Sequence, residues 1–118
     1  MILNTCEIAA MRPGNTTEHV AAAVRGEASK HHLEENLFTL FIGHGIGVGS
    51  NEPPYIGETQ PGARPAELRP NMLFALEPLI WVPDSGGVGA RIEDMVLVTA
   101  SGPRVLSRTA YDDTLLLT

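Results

Sequence analysis

The sequence predicts an α+β domain with a mostly antiparallel sheet. Three observations carry that reading. Helical spacing of apolar residues is confined to residues 1–30. Short apolar runs with strand-like character occupy the rest, punctuated by proline and glycine. The later runs follow one another through short turns, the connection that joins antiparallel neighbours, so helices and strands are segregated along the chain.

Taken in order, residues 1–11 read as the end of a helix, with Ile2, Leu3, Cys6, Ala9 and Ala10 at helical spacing. Pro13-Gly14 stops it. Asn15 is the expected N-cap of a second helix, with Glu18 three residues on in a capping-box pattern. That helix, from about Thr16 to Lys30, carries Val20, Ala21, Val24 and Ala28 on one side. A polar connector, His31 to Asn36, leads to a strand at 37–42 and then to Gly43-His44-Gly45-Ile46-Gly47. Residues 49–71 contain Pro53, Pro54, Pro61, Pro65 and Pro70 with Gly57 and Gly62, and read as mostly loop. Pro70-Asn71 turns into a strand at 72–80. Pro83-Asp84-Ser85-Gly86-Gly87 is a hairpin-like turn into a long strand from Val88 to Thr99. Ser101-Gly102-Pro103 then leads to a short strand at 104–107, and Tyr111 to Thr118 has no assignment.

At 118 residues the chain is one ordinary domain at most, able to bury roughly 65% of its unfolded surface. The net charge of −6, with scattered basic residues, speaks against nucleic acid as a partner. No apolar run approaches the roughly 20 residues of a membrane span. The N-terminus has no basic segment followed by a long apolar stretch, so no secretory signal is expected. The single cysteine, Cys6, excludes an internal disulfide framework and fits a reducing, cytoplasmic setting.

The chemistry-bearing residues are His44, Glu77 and Glu93. His44 lies between glycines just after an apolar run, where the backbone is bare enough for a ligand to approach. Alternation puts Glu77 on one face with Leu73, Ala75 and Leu79, and Glu93 with Arg91, Met95 and Leu97. Both carboxylates are thus expected to face inward. A buried carboxylate needs a cation, a proton or a strong partner. A metal would satisfy all three side chains. The plainer alternatives are a salt bridge from Arg91 or another arginine for Glu93, backbone donors near Pro78 for Glu77, and a hydrogen-bonded structural role for His44. His31, His32 and His19 read as solvated surface residues, and Trp81 as a packing residue.

These motifs, with others in order, resemble the C-terminal part of the pita-bread metallopeptidases, the family of methionine aminopeptidase, Xaa-Pro aminopeptidase and prolidase. The resemblance rests on Met11-Arg12-Pro13-Gly14 between helices, Gly-His-Gly-Ile-Gly at 43–47, and Asn51-Glu52-Pro53-Pro54-Tyr55-Ile56. It continues through Phe74-Ala75-Leu76-Glu77-Pro78 and Arg91-Ile92-Glu93-Asp94; the latter, and Glu77-Pro78 followed by Trp81-Val82-Pro83, favour the Xaa-Pro branch.

The resemblance implies the C-terminal half of a pita-bread fold, one partial catalytic domain over residues 1–118, and hydrolysis of peptide or related amide bonds. It implies two divalent ions per complete site (Mn, Co, Fe or Zn), held by two Asp, one His and two Glu. His44, Glu77 and Glu93 match the last three of these ligands. Glu93 would bridge the ions, and Glu77 would also act as general base. The aspartates Asp84, Asp94, Asp112 and Asp113 all follow His44, whereas the family's two precede it, so the resemblance implies a fragment inactive by itself. Asn51 stands where the family usually has a second, substrate-contacting histidine; its amide can donate a hydrogen bond but cannot carry a proton charge. The expected substrate is a small peptide or peptide-like molecule. The expected partners are a missing N-terminal half or a second copy, with no membrane. A non-catalytic binding module keeping the half-fold is the alternative.

Overall fold

A computed structural model describes residues 2–58, 64–82, 84 and 86–110. Pro61, Gly62, Pro83, Ser85 and the unassigned tail 111–118 lie outside the described residues, so the hairpin-like turn is described only in part. The element order is α1 (Ile2–Ala10), α2 (Thr17–Lys30), β1 (Gly43–Ile46), β2 (Glu52–Ile56), β3 (Leu73–Leu76), β4 (Leu79–Val82), β5 (Val88–Arg91), β6 (Asp94–Thr99) and β7 (Gly102–Val105). Helices come first and antiparallel strands follow, which is the expected α+β arrangement. No helix among the described residues is long and apolar enough to cross a membrane.

α2 starts one residue later than expected. Thr16 is its N-cap: Thr16 Oγ1 accepts from the His19 amide and His19 Nδ1 accepts from the Thr16 amide at 3.0 Å, so histidine completes the capping box. Asn15 serves the preceding helix instead, its Nδ2 donating to the Ala10 carbonyl at 2.8 Å. Val20, Ala21, Val24 and Ala28 of α2 are fully buried, as their spacing predicts. Each such valine contributes roughly 1.5–3 kcal/mol by leaving water.

Five strands form one sheet in the order β2-β1-β3-β6-β7, and β4 and β5 form a separate pair. Phe74, Leu76, Val96 and Val98 join Ile42 and Ile56 in a core with Leu3, Met11 and the apolar side of α2. The helices therefore cover one face. Residues that alternate with these lie on the other face, where Tyr55, His44, Ala75 and Met95 are cross-strand neighbours in one row. Tyr55 and Met95 are exposed there.

Four expected strands are revised. The run at 37–42 is not a strand. Leu37 bridges Ile80 and the Phe38 amide donates to Leu79, while the Ile42 amide donates to Ile56, so this stretch passes from one sheet to the other. The expected strand at 72–80 is two strands in different sheets. It breaks at Glu77-Pro78, where proline has no amide hydrogen to continue a ladder. The expected strand at 88–99 breaks opposite, at Ile92-Glu93; there Asn4 Nδ2 of α1 takes the Ile92 carbonyl at 3.0 Å. The proline-rich stretch does hold a strand, β2, at the sheet edge, where prolines are tolerated. The final strand begins at Gly102 rather than residue 104.

Candidate metal centre

Both carboxylates singled out in the sequence lie at the two breaks. Leu76 pairs with Asp94 in the large sheet and Leu79 with Arg91 in the small one. Those pairings share a single register, which puts Glu77 opposite Glu93 in the gap between the sheets. The chain passes between sheets twice at one place, and each passage carries a glutamate.

His44 comes from β1, the neighbour of β3, and is 7% exposed. Its Nδ1 lies 2.9 Å from the Gly45 carbonyl oxygen. A carbonyl can only accept, so Nδ1 carries the hydrogen and, in the neutral ring, Nε2 is left with a lone pair. Phe41 stacks on the ring, with centroids 5.5 Å apart and planes 26° from parallel. The flanking glycines have a different role from the one expected. They do not open the backbone to a ligand. A Cβ at Gly43 would stand 2.6 Å from the Ala75 carbonyl oxygen, and one at Gly45 2.8 Å from the Pro53 carbonyl oxygen. These glycines let β3 and β2 close in on both sides of the histidine, and the β1–β2 register shifts between His44 and Gly45.

Glu77 is also 7% exposed. Its Oε1 lies 3.4 Å from His44 Nε2, and its Oε2 accepts from Arg91 Nη1 at 3.0 Å. Its partners are thus side chains rather than backbone donors near Pro78. Arg91, the suggested partner of Glu93, is paired with Glu77 instead. Glu93 itself is exposed, not inward-facing. On β6 the buried residues are Asp94, Val96 and Val98, so Glu93 and Met95 fall on the face away from the helices. Glu93 lines an open depression of about 470 Å³ with Arg91, Met95, Ser107 and Thr109. Among the described residues, no three His, Cys, Asp or Glu side chains are close enough to hold an ion together. The structure therefore brings together two of the three expected ligands.

The facing pair still has the chemistry of a cation site. A neutral imidazole with hydrogen on Nδ1 presents a lone pair to a carboxylate oxygen. Two such atoms, buried at 3.4 Å, repel unless a proton or a metal ion lies between them. One imidazole nitrogen with carboxylate oxygens suits Mn, Fe, Co or Zn. The residues fit such an ion as a partial ligand set.

Asn51 is exposed immediately before β2. Of the other histidines, His31 lies 3.3 Å from Glu27 on the surface and His32 is exposed. His19 is exposed but caps α2, a role its surface position concealed. Trp81 is 45% exposed rather than packed away. Sequence reasoning did not assign Arg91 to Glu77; Arg91 pairs in register with Leu79 and reaches Glu77 only as a diagonal neighbour. It also passed over buried Glu7, whose neighbours at four-residue spacing, Leu3 and Met11, mark a core stripe.

The helix-covered antiparallel sheet thus carries a buried histidine–glutamate pair at the junction of two sheets. The chain belongs to the metallopeptidase family M24, whose model matches residues 4–100. It is 44% identical over 93 residues to the probable dipeptidase PepE of Mycobacterium tuberculosis, covering 79% of this chain and 23% of that one. It is 33% identical over 102 residues to the Xaa-Pro dipeptidase of Pyrococcus furiosus, covering 86% and 27%. The crystal structure of dipeptidase PepE from Mycobacterium ulcerans superposes with a TM-score of 0.80 at 35% identity, covering 94% of this chain and 28% of that one. The fold is thus that of a part of the pita-bread peptidases, and the chain spans about a quarter of the length of these relatives.

Proposed function

We propose that this chain is one partial catalytic domain of a metal-dependent hydrolase acting on small peptides, Xaa-Pro dipeptides among them. The observation that carries this reading is the buried approach of His44 Nε2 to Glu77 Oε1 at 3.4 Å. His44, Glu77 and Glu93 would hold the ion, and Glu93 would have to turn from its exposed position toward Glu77 across the register gap. When bound, a divalent ion supplies polarisation of the scissile carbonyl and an activated water. Glu77, held by Arg91, would accept the proton of the attacking water and return it to the leaving amine. Asn51 would offer its amide hydrogen to the substrate carbonyl. The relatives' names supply the substrate class, dipeptides, and the single cysteine supports a cytoplasmic setting.

None of the chain's aspartates precedes His44, so its own ligands suit one ion better than a pair. The isolated chain is therefore expected to bind one divalent ion and to turn over little peptide. Metal content of the purified chain after loading with Mn or Zn, together with release of proline from Ala-Pro, tests this. One ion per chain lost in Glu77→Gln supports the reading; no metal at any loading overturns it.

A second reading is a non-catalytic module retaining the half-fold. The Arg91–Glu77 pair favours it, because the guanidinium already neutralises the carboxylate that would bind metal. Metal-free chain with unchanged stability in chelator would be its signature.

A further inference from the structure

Leu3, Glu7 and Met11 are spaced four apart along the N-terminal helix and its end, on one stripe. All three are buried, at 9%, 0% and 0% exposure, and Leu3 and Met11 belong to the apolar core. Glu7 occupies the place in that stripe where an apolar side chain is expected. Among the described residues, neither of its carboxyl oxygens has a hydrogen-bond partner. An ionised carboxylate left this way costs far more than a neutral acid.

Among the described residues, the charged groups that act on Glu7 are both acidic: Asp94 of β6, on the helix-covered face and 7% exposed, and Glu77 just after β3. α2 also packs on α1, but its Glu27 acts on the neighbouring Cys6. On β7, Arg104 is exposed. Among the described residues, no cation is among the charges that act on Glu7.

We propose that Glu7 is a neutral carboxylic acid whose proton latches α1 to the sheet, so that α1 opens more readily as the proton is withdrawn. Burial pushes its carboxyl up to about 9, and Asp94 and Glu77 add to the shift. The released helix would expose the same group to water, where it returns toward its ordinary value of 4.5. The docked state thus holds a proton that the open state gives up. The latch is complete below pH 4.5, weakens as pH rises and is lost as pH passes about 9. In that window the opening constant rises roughly tenfold per pH unit for one proton. The latch reaches the site through Asn4, which holds the Ile92 carbonyl beside Glu93 from the same helix. The inference does not depend on the proposed function.

Hydrogen exchange of α1 amides in the full chain, from pH 6 to 9 in chelator and beside Glu7→Gln at each pH, tests it. The ratio of wild-type to variant opening is expected to climb roughly tenfold per pH unit and level near pH 9. A ratio independent of pH overturns the proposal. If Glu7→Gln does not fold, the ¹³C shift of the Glu7 carboxyl in the wild-type chain decides. Titration near pH 9 supports the latch, and titration between pH 4 and 5 overturns it.

Discussion

Arg91 and Glu77 meet across the gap between the two sheets, Nη1 to Oε2 at 3.0 Å. Arg91 ends β5, and Glu77 follows the end of β3. The pair ties the small hairpin to the large sheet while supporting the carboxylate that faces His44. The guanidinium is 38% exposed and the carboxylate 9%, so solvent screens one partner more than the other. Arg91→Met is expected to destabilise the chain by about 1–2 kcal/mol, between the values for exposed and buried pairs. Urea unfolding of Arg91→Met, Glu77→Gln and the double variant measures it, and additive effects would show that the pair contributes nothing.

His44→Gln removes Nε2 from the facing pair. Binding of Mn or Zn by calorimetry is expected to weaken at least tenfold, on the scale of losing one site interaction. The unfolding midpoint should move much less than the affinity. Equal affinity in wild type and variant would take the histidine out of the site.

Glycine substitutions separate close packing from mere flexibility. Gly43→Ala drives a Cβ into the Ala75 carbonyl oxygen at 2.6 Å, and a cost of about 1–3 kcal/mol is expected from the forced shift. Gly26→Ala in α2 meets nothing within 4 Å and should stabilise by about 1 kcal/mol through helix propensity. Thermal melts followed by circular dichroism should therefore move in opposite directions.

The helix caps make a similar pair. Thr16→Ala should cost about 1 kcal/mol by releasing the amide at the start of α2. Asn15→Ala should instead loosen the end of α1, where its side chain holds Ala10. Amide exchange resolved by helix distinguishes them, and a loss confined to α2 in Asn15→Ala would reverse the assignment.

Phe74 is the largest fully buried side chain among the described residues and belongs to the apolar core. Phe74→Ala is expected to cost about 3–5 kcal/mol. Guanidinium unfolding measures the loss, and a change under 1 kcal/mol would show that this face is not the core.

Much of this was legible along the chain. The period of Val20, Ala21, Val24 and Ala28 determined both the existence of α2 and its buried side, because helix geometry is local. The spacing of the Gly-His-Gly, Leu-Glu-Pro and Arg-Ile-Glu-Asp segments carried the family resemblance. Strand parity was less reliable. It placed Glu77 and Glu93 together on an inward face, but burial depends on which face the helices cover, and that is set by packing between distant segments.

The sequence by itself determined the α+β class, the buried side of α2 and the family. It also supplied His44, Glu77 and Glu93 as the residues in question, because periodicity, turn chemistry and motif order are properties of neighbouring residues. Tertiary structure alone decided that two apparent strands each divide at a glutamate, that Arg91 holds Glu77, and that Glu93 faces outward. Those outcomes arise from ladders and contacts between residues far apart in the chain, where a side chain's environment is made by partners that its own neighbours do not specify.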